Sequence, residues 1–166
     1  MDKQFFINIS KMIDDAIIAY EELLGLYKEK KQAILKQDTN MLAFVDEKIV
    51  AQAKYLTNMN SRREEYCQEN EIEPVRITEL IELAQKEYPE MEEIFEKQKV
   101  KLREVRDELA LLDKTNVELI KHSLTMSDKL LDIIISAATP QKDNYDRHGK
   151  NVDTDALSIG SIVEEA

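Results

Sequence analysis

The chain has no tryptophan, one cysteine, three glycines and three prolines in 166 residues, and aromatics make up 6% of it. Each scarcity excludes something. A single thiol, Cys67, rules out an internal disulfide and fits a reducing, cytosolic setting. The isolated glycines Gly25, Gly149 and Gly160 leave no glycine-rich loop to cradle a phosphate. A helical di-metal carboxylate centre needs two Glu-x-x-His motifs; the two histidines, His122 and His148, make none, since neither has a glutamate three residues before it. Glu118 and His122 share one helix face and read as an exposed pair. No run of about 18 apolar residues is present, so no membrane span is expected. Phe5-Phe6-Ile7 is too short for a signal core and lacks a basic leader. Basic residues are also in deficit. The net charge of −11 argues against a nucleic-acid partner, whose phosphates demand a cationic face, and against anionic lipid.

What is abundant is charge, at 34%, and apolar residues, at 43%. Leucine, isoleucine, glutamate and lysine at a spacing of 3.5 to 3.6 residues are the mark of long helices. The sequence predicts an all-α antiparallel bundle of coiled-coil-like helices, three long and one short connector, with a flexible C-terminal tail. The bundle domain is expected over residues 1–138, and the tail over 139–166.

The first helix is expected from about Asp2 to Lys36. Ile9, Ile13, Ala16, Tyr20, Leu23, Tyr27 and Ile34 form its seam, with Lys30 as the polar break. Phe6, Ile17 and Leu24 widen that seam enough for two neighbours. Gly25 lies inside the helix, as a tolerated residue or a point of close helix approach. Gln37-Asp38-Thr39 breaks the chain, and Asp38 or Thr39 caps a second helix over about Asn40–Glu69. Its seam is Leu42, Val45, Ile49, Leu56, Met59 and Tyr66, interrupted by Gln52 and Arg63. So short a break makes helices one and two an antiparallel hairpin. Pro74 stops a polar connector. A short helix follows over about Arg76–Tyr88, with Ile77, Leu80, Ile81 and Ala84 inward. Pro89 then ends this helix or opens the next, where its missing N–H costs nothing.

Pro89 to Ala138 reads as one helix, roughly 75 Å long at 1.5 Å per residue. Leu102, Val105, Leu109, Leu112, Asn116, Leu119, Ser123, Met126, Leu130 and Ile133 recur at spacings of three and four. A sustained heptad of this kind asks for partner helices along its length. Asn116 and Ser123 are its polar positions. A buried asparagine in a seam fixes register, with Lys30 or Gln52 as a counterpart; alternatively, the seam is partly open and meets a client helix. Helices one and two are both shorter than this one, so its seam from Asn116 towards Ile133 is expected to be under-covered. Beyond Pro140 the chain turns polar. A last amphipathic piece holds Ala156, Leu157, Ile159, Ile162 and Val163, with nothing local to bury them against.

No catalytic constellation emerges. Cys67 has no histidine near it in sequence and reads as a structural thiol near a helix end. The acids Glu87, Glu90, Glu92, Glu93 and Glu96 lack EF-hand spacing and suit a helix N-terminus. No enzyme activity, cofactor or metal is expected.

Three stretches resemble the FlgN family, the flagellar export chaperones for hook–filament junction proteins. The first is Tyr20-x-x-Leu23-Leu24-x-Leu26-x-x-x-Lys30-x-x-Ala33-Ile34-x-x-x-Asp38-x-x-x-Leu42, and the second is Asn116-x-x-Leu119-Ile120. The third, Tyr145-Asp146-x-x-Gly149, is the most specific, since no packing pattern demands it. The family often has an asparagine at the place of Asp113. The resemblance implies a non-enzymatic cytoplasmic chaperone. Such a protein holds the helical ends of hook-associated proteins, prevents premature assembly and delivers them to the type III export gate. By that analogy Tyr145, with Asp146 and Gly149, serves gate docking. Client binding falls to Asn116, Leu119, Ile120, Ser123, Met126, Leu130 and Ile133, together with Leu157, Ile159 and Ile162 of the tail. The alternative is a structural coiled-coil protein that self-associates, as a homodimer for instance, without a client.

Overall fold

The computed structural model describes residues 2–73 and 76–138. Four helices follow in order: α1 (Lys3–Leu35), α2 (Thr39–Glu69), α3 (Ile77–Glu87) and α4 (Pro89–Ala138). All are α-helical, and among the described residues there is no strand. The expected all-α bundle of long helices with a short connector is what forms, and every boundary lies within a residue or two of its expected place. Pro74, Pro140 and the whole tail lie outside the described residues.

The ends of the helices show how local chemistry sets them. The Asp2 carboxylate accepts from the Gln4 backbone N–H at 3.2 Å and starts α1. The Asp38 carboxylate accepts from Met41 at 2.9 Å and starts α2. Short acidic caps satisfy donors that the first turn leaves free. At α3 the Arg76 N–H donates back to the Glu79 carboxylate at 2.7 Å, which is half of a capping box. Pro89 occupies the first turn of α4.

Helices α1 and α2 end alike. Asp38 N–H reaches the Ala33 carbonyl and Gln37 N–H that of Ile34; Ile72 N–H reaches Cys67 and Glu71 N–H reaches Gln68, all within 2.9–3.1 Å. These are two Schellman closures, which need a left-handed residue just past the cap. Gln37 (φ 56°) and Glu71 (φ 60°) take that conformation. Neither is glycine, so the usual sequence signal for such a stop is missing, and each carries backbone strain.

The chain divides into two compact units, Met1–Thr125 and Met126–Ala166. In the first, α1 is the common neighbour. It runs antiparallel to α2, as Asn8 to Tyr66 and Lys30 to Asp46 show. It runs parallel to α4, because Lys3–Glu90, Glu21–Lys101 and Lys28–Glu108 pair in rising order. The expected seams face inward throughout α1, α2 and α3, including the polar Lys30, Gln52 and Arg63. Gly25 has open space where a Cβ would stand, so it is a tolerated residue rather than a point of close approach.

The densest packing gathers α3 with the start of α1, the end of α2 and the start of α4. Phe5, Phe6, Ile9, Ile13, Cys67, Leu80, Ala84, Met91 and Phe95 form one cluster. Phe6 and Phe95 are fully buried. Phe5 stacks on Tyr66 with ring centroids 5.7 Å apart, and Phe6 meets Tyr88 at 5.4 Å and Phe95 at 6.2 Å, edge-on or tilted. Offset aromatic contacts of this kind add about 0.5–1.5 kcal/mol beyond their buried area. Cys67 sits inside this cluster, as a structural thiol should.

Candidate functional site: the two stretches of helix α4

The expected site residues lie on α4 and divide between the two units. In the first unit Asn116 is 1% exposed, and its Nδ2 donates to the Tyr27 backbone carbonyl at 3.1 Å. The counterpart is therefore a carbonyl of α1, not Lys30 or Gln52. Lys30 pairs instead with Asp46 at 2.8 Å. Gln52 donates to the Ala19 carbonyl and to Glu22, each at 2.9 Å. Burial pushes the Tyr27 hydroxyl up from its ordinary pKa, and nearby Asp113 adds to the effect.

A third amide completes a pattern that the sequence reading missed. Gln98 is 4% exposed, and its Nε2 donates to the Ser10 carbonyl and Oγ, both at 2.9 Å, and to Asp14 at 2.7 Å. Three side-chain amides thus each grip a backbone carbonyl of α1: Gln98 at Ser10, Gln52 at Ala19 and Asn116 at Tyr27. The signal was available, because Gln98 stands four residues before Leu102 on the same heptad. Among the described residues, Gln98 Oε1 and Asn116 Oδ1 find no partner. A buried unmet acceptor costs about 1–3 kcal/mol. The unmet oxygen therefore offsets part of what the donated bonds of Gln98 and Asn116 contribute.

Leu119 and Ile120 are half-buried, and Ser123 is exposed. From Lys121 to Ala138 every residue is exposed. The second unit's described stretch, Met126–Ala138, holds Met126 at 47%, Leu130 and Leu131 at 56%, Ile133 at 64%, Ile134 at 61% and Ile135 at 48%. At 100° per residue these side chains fill an arc of roughly 200°, leaving Asp128, Lys129, Asp132 and Ser136 on the remainder. Scattered exposed leucines need no explanation, but six large apolar residues within ten positions form a contiguous exposed patch, which is unusual on a protein surface. Leu157, Ile159, Ile162, Tyr145, Asp146 and Gly149 lie outside the described residues.

The described residues hold no group of three or more metal-ligating side chains, and no helix among them is long and apolar enough to cross a membrane. The hollows of the first unit are open grooves. One of about 410 Å³ is lined by Tyr20, Ile77, Lys99, Leu102, Arg103 and Arg106. Its cations have acidic neighbours on their own helix, Glu96 for Lys99 and Asp107 for both arginines.

An amide-locked helix bundle followed by an exposed apolar heptad suits a protein that holds another helix. The family described as FlgN protein matches residues 1–153. No curated protein and no solved structure shows significant similarity to the chain. A match over this much of the sequence includes the bundle, the Asn116-x-x-Leu119-Ile120 element and Tyr145-Asp146-x-x-Gly149, and on it the chain belongs to the FlgN family of flagellar type III export chaperones.

Proposed function

We propose that this chaperone binds the helical termini of hook-associated flagellar proteins through the apolar face of Met126–Ala138, in the cytoplasm, and delivers them to the export gate. The observation that carries the reading is the exposure of Met126, Leu130 and Ile133, which continue the heptad of a helix whose earlier seam is buried or half-buried. Client termini that form coiled coil once assembled expose apolar seams while monomeric. A helix laid along this face covers both surfaces at once, by the same packing that buries Val105 in the bundle. The excess of acid keeps the complex soluble. Binding is stoichiometric and needs no nucleotide.

Half-buried Leu119 and Ile120 belong to the near edge of the client surface. Asn116 acts from within, by fixing the register of α4 on α1. Tyr145, Asp146 and Gly149 serve docking at the gate.

Titration calorimetry with C-terminal helical segments of hook–filament junction proteins tests the client surface. Leu130→Asp with Ile133→Asp should weaken binding at least tenfold and leave helicity unchanged. Undiminished binding by that variant would sink the assignment. Tyr145→Ala should keep client binding and impair export; loss of client binding would show that the two tasks are misplaced. Sedimentation at several concentrations decides against the self-association alternative if the free chain stays monomeric.

A further inference from the structure

The apolar arc of Met126–Ala138 is too broad for one partner helix, and its two edges differ in charge. Met126, Leu130, Ile133 and Ala137 form one seam; Leu131, Ile134 and Ala138 form a second beside it. A single coiled-coil neighbour covers one such seam. By helical position, Lys129 borders the first seam, four residues before Ile133, Asp128 lies at the far edge beside Ile135, and Asp132, three residues after Lys129, stands between them.

Residues 153–166 supply a match for the cationic edge. Asp153, Asp155, Glu164 and Glu165 are acidic, no basic residue occurs, and Leu157, Ile159, Ile162 and Val163 are apolar. The family match ends at residue 153, so this segment belongs to the chain beyond the shared pattern.

We infer that, in the client-free protein, the segment Asp155–Glu165 of the same chain docks along the first seam, its carboxylates towards Lys129. Charge is one reason. Length is another: eleven residues at 1.5 Å rise span about 16 Å, the distance from Met126 to Ala137 along the helix. Connectivity is the third. Thr139 to Thr154 contains Pro140 and Gly149 and is long enough for the chain to reverse. A tethered segment acts at an effective concentration in the millimolar range, well above that of a second copy at micromolar protein. Closing a loop of this length costs little more than closing a shorter one. Docking does not rest on the client reading; where both hold, the client displaces the segment from Met126, Leu130 and Ile133.

The experiment uses the full chain purified alone, with the photo-crosslinker p-benzoylphenylalanine placed at residue 133 and, in a second preparation, at residue 130. Illumination should give a crosslinked species of monomer mass whose peptide map joins the probe to residues 155–165. Ile159→Asp with Ile162→Asp should cut that yield at least tenfold, and Lys129→Glu severalfold, with circular dichroism unchanged. Crosslinks between two chains would give the seam to a second copy and overturn the proposal. So would crosslinks to residues outside 155–165, a yield indifferent to the tail substitutions, or no crosslink from either position. Because no client is present, failure here leaves the calorimetric test of client binding standing.

Discussion

Helix α4 contains two stretches written in one heptad and used in opposite ways. From Met91 to Asn116 its seam is half-buried or buried, as at Phe95, Gln98, Val105 and Asn116, with an amide lock on α1 at Gln98 and Asn116. From Met126 to Ala138 the same periodicity continues, and every side chain is exposed. The chemistry of the residues does not explain the contrast, since Leu130 and Ile133 are as apolar as Val105. A heptad shows which face of a helix seeks a partner, but the supply of partners decides whether that face is core or surface.

The comparison can be broken most directly by truncating both stretches. Phe95→Ala should cost about 3–5 kcal/mol, because it opens a cavity in the aromatic cluster. Ile133→Ala should stay within about 0.5 kcal/mol, as a surface change does. Urea denaturation measures both, and a large loss at Ile133 would mean that its face is already covered in the free protein by more than a marginal contact. Gln98→Ala should cost about 1–3 kcal/mol, since it strips a donor from buried Ser10 and from the exposed Asp14 carboxylate while removing an acceptor that had no partner. Stability unchanged by that substitution would show that the lock on α1 is dispensable.

Smaller effects sharpen the picture of the bundle itself. Gly25→Ala should raise stability by about 0.5–1 kcal/mol, because the added Cβ meets open space and the helix loses a flexible residue. Gln37→Gly should gain about as much by relieving a left-handed backbone at the Schellman closure. Thermal melts resolve both, and a loss at Gly25 would reveal a neighbour close to it.

The smallest effect is electrostatic. Lys3 bonds Glu90 at 2.8 Å on the surface. That hydrogen bond lowers the Glu90 pKa below its ordinary 4.5 and raises that of Lys3 above 10.5. Glu90 therefore contributes stability above about pH 4.5, lost as pH falls through its folded value. Lys3 contributes below about 10.5, lost as pH rises beyond it. Wild type and Glu90→Gln should differ slightly between these limits and converge outside them. A difference that persists at pH 2 would place the effect elsewhere.

Much of the fold was legible because its signals are local. Asp2 and Asp38 are short acceptors at helix starts, Pro89 suits a first turn, and the inward seams repeat at helical spacing. The stops at Gln37 and Glu71 were less legible, because residues that normally avoid a positive φ stand where glycine is usual. Gln98 was missed as a lock for a related reason, since a glutamine on a charged helix reads as surface until the helix facing it is known.

The sequence by itself determined that the chain is helical, where each helix begins and which face is apolar, since these follow from capping, proline placement and a period of 3.5 residues. It also carried the likeness to the FlgN family. Only the tertiary structure decided that Asn116 bonds the carbonyl of Tyr27, that α1 is gripped by three amides, and that the open seam, expected from Asn116 onward, starts only beyond Ile120. Those outcomes depend on which helix lies opposite, and a one-dimensional pattern specifies a face without specifying its neighbour.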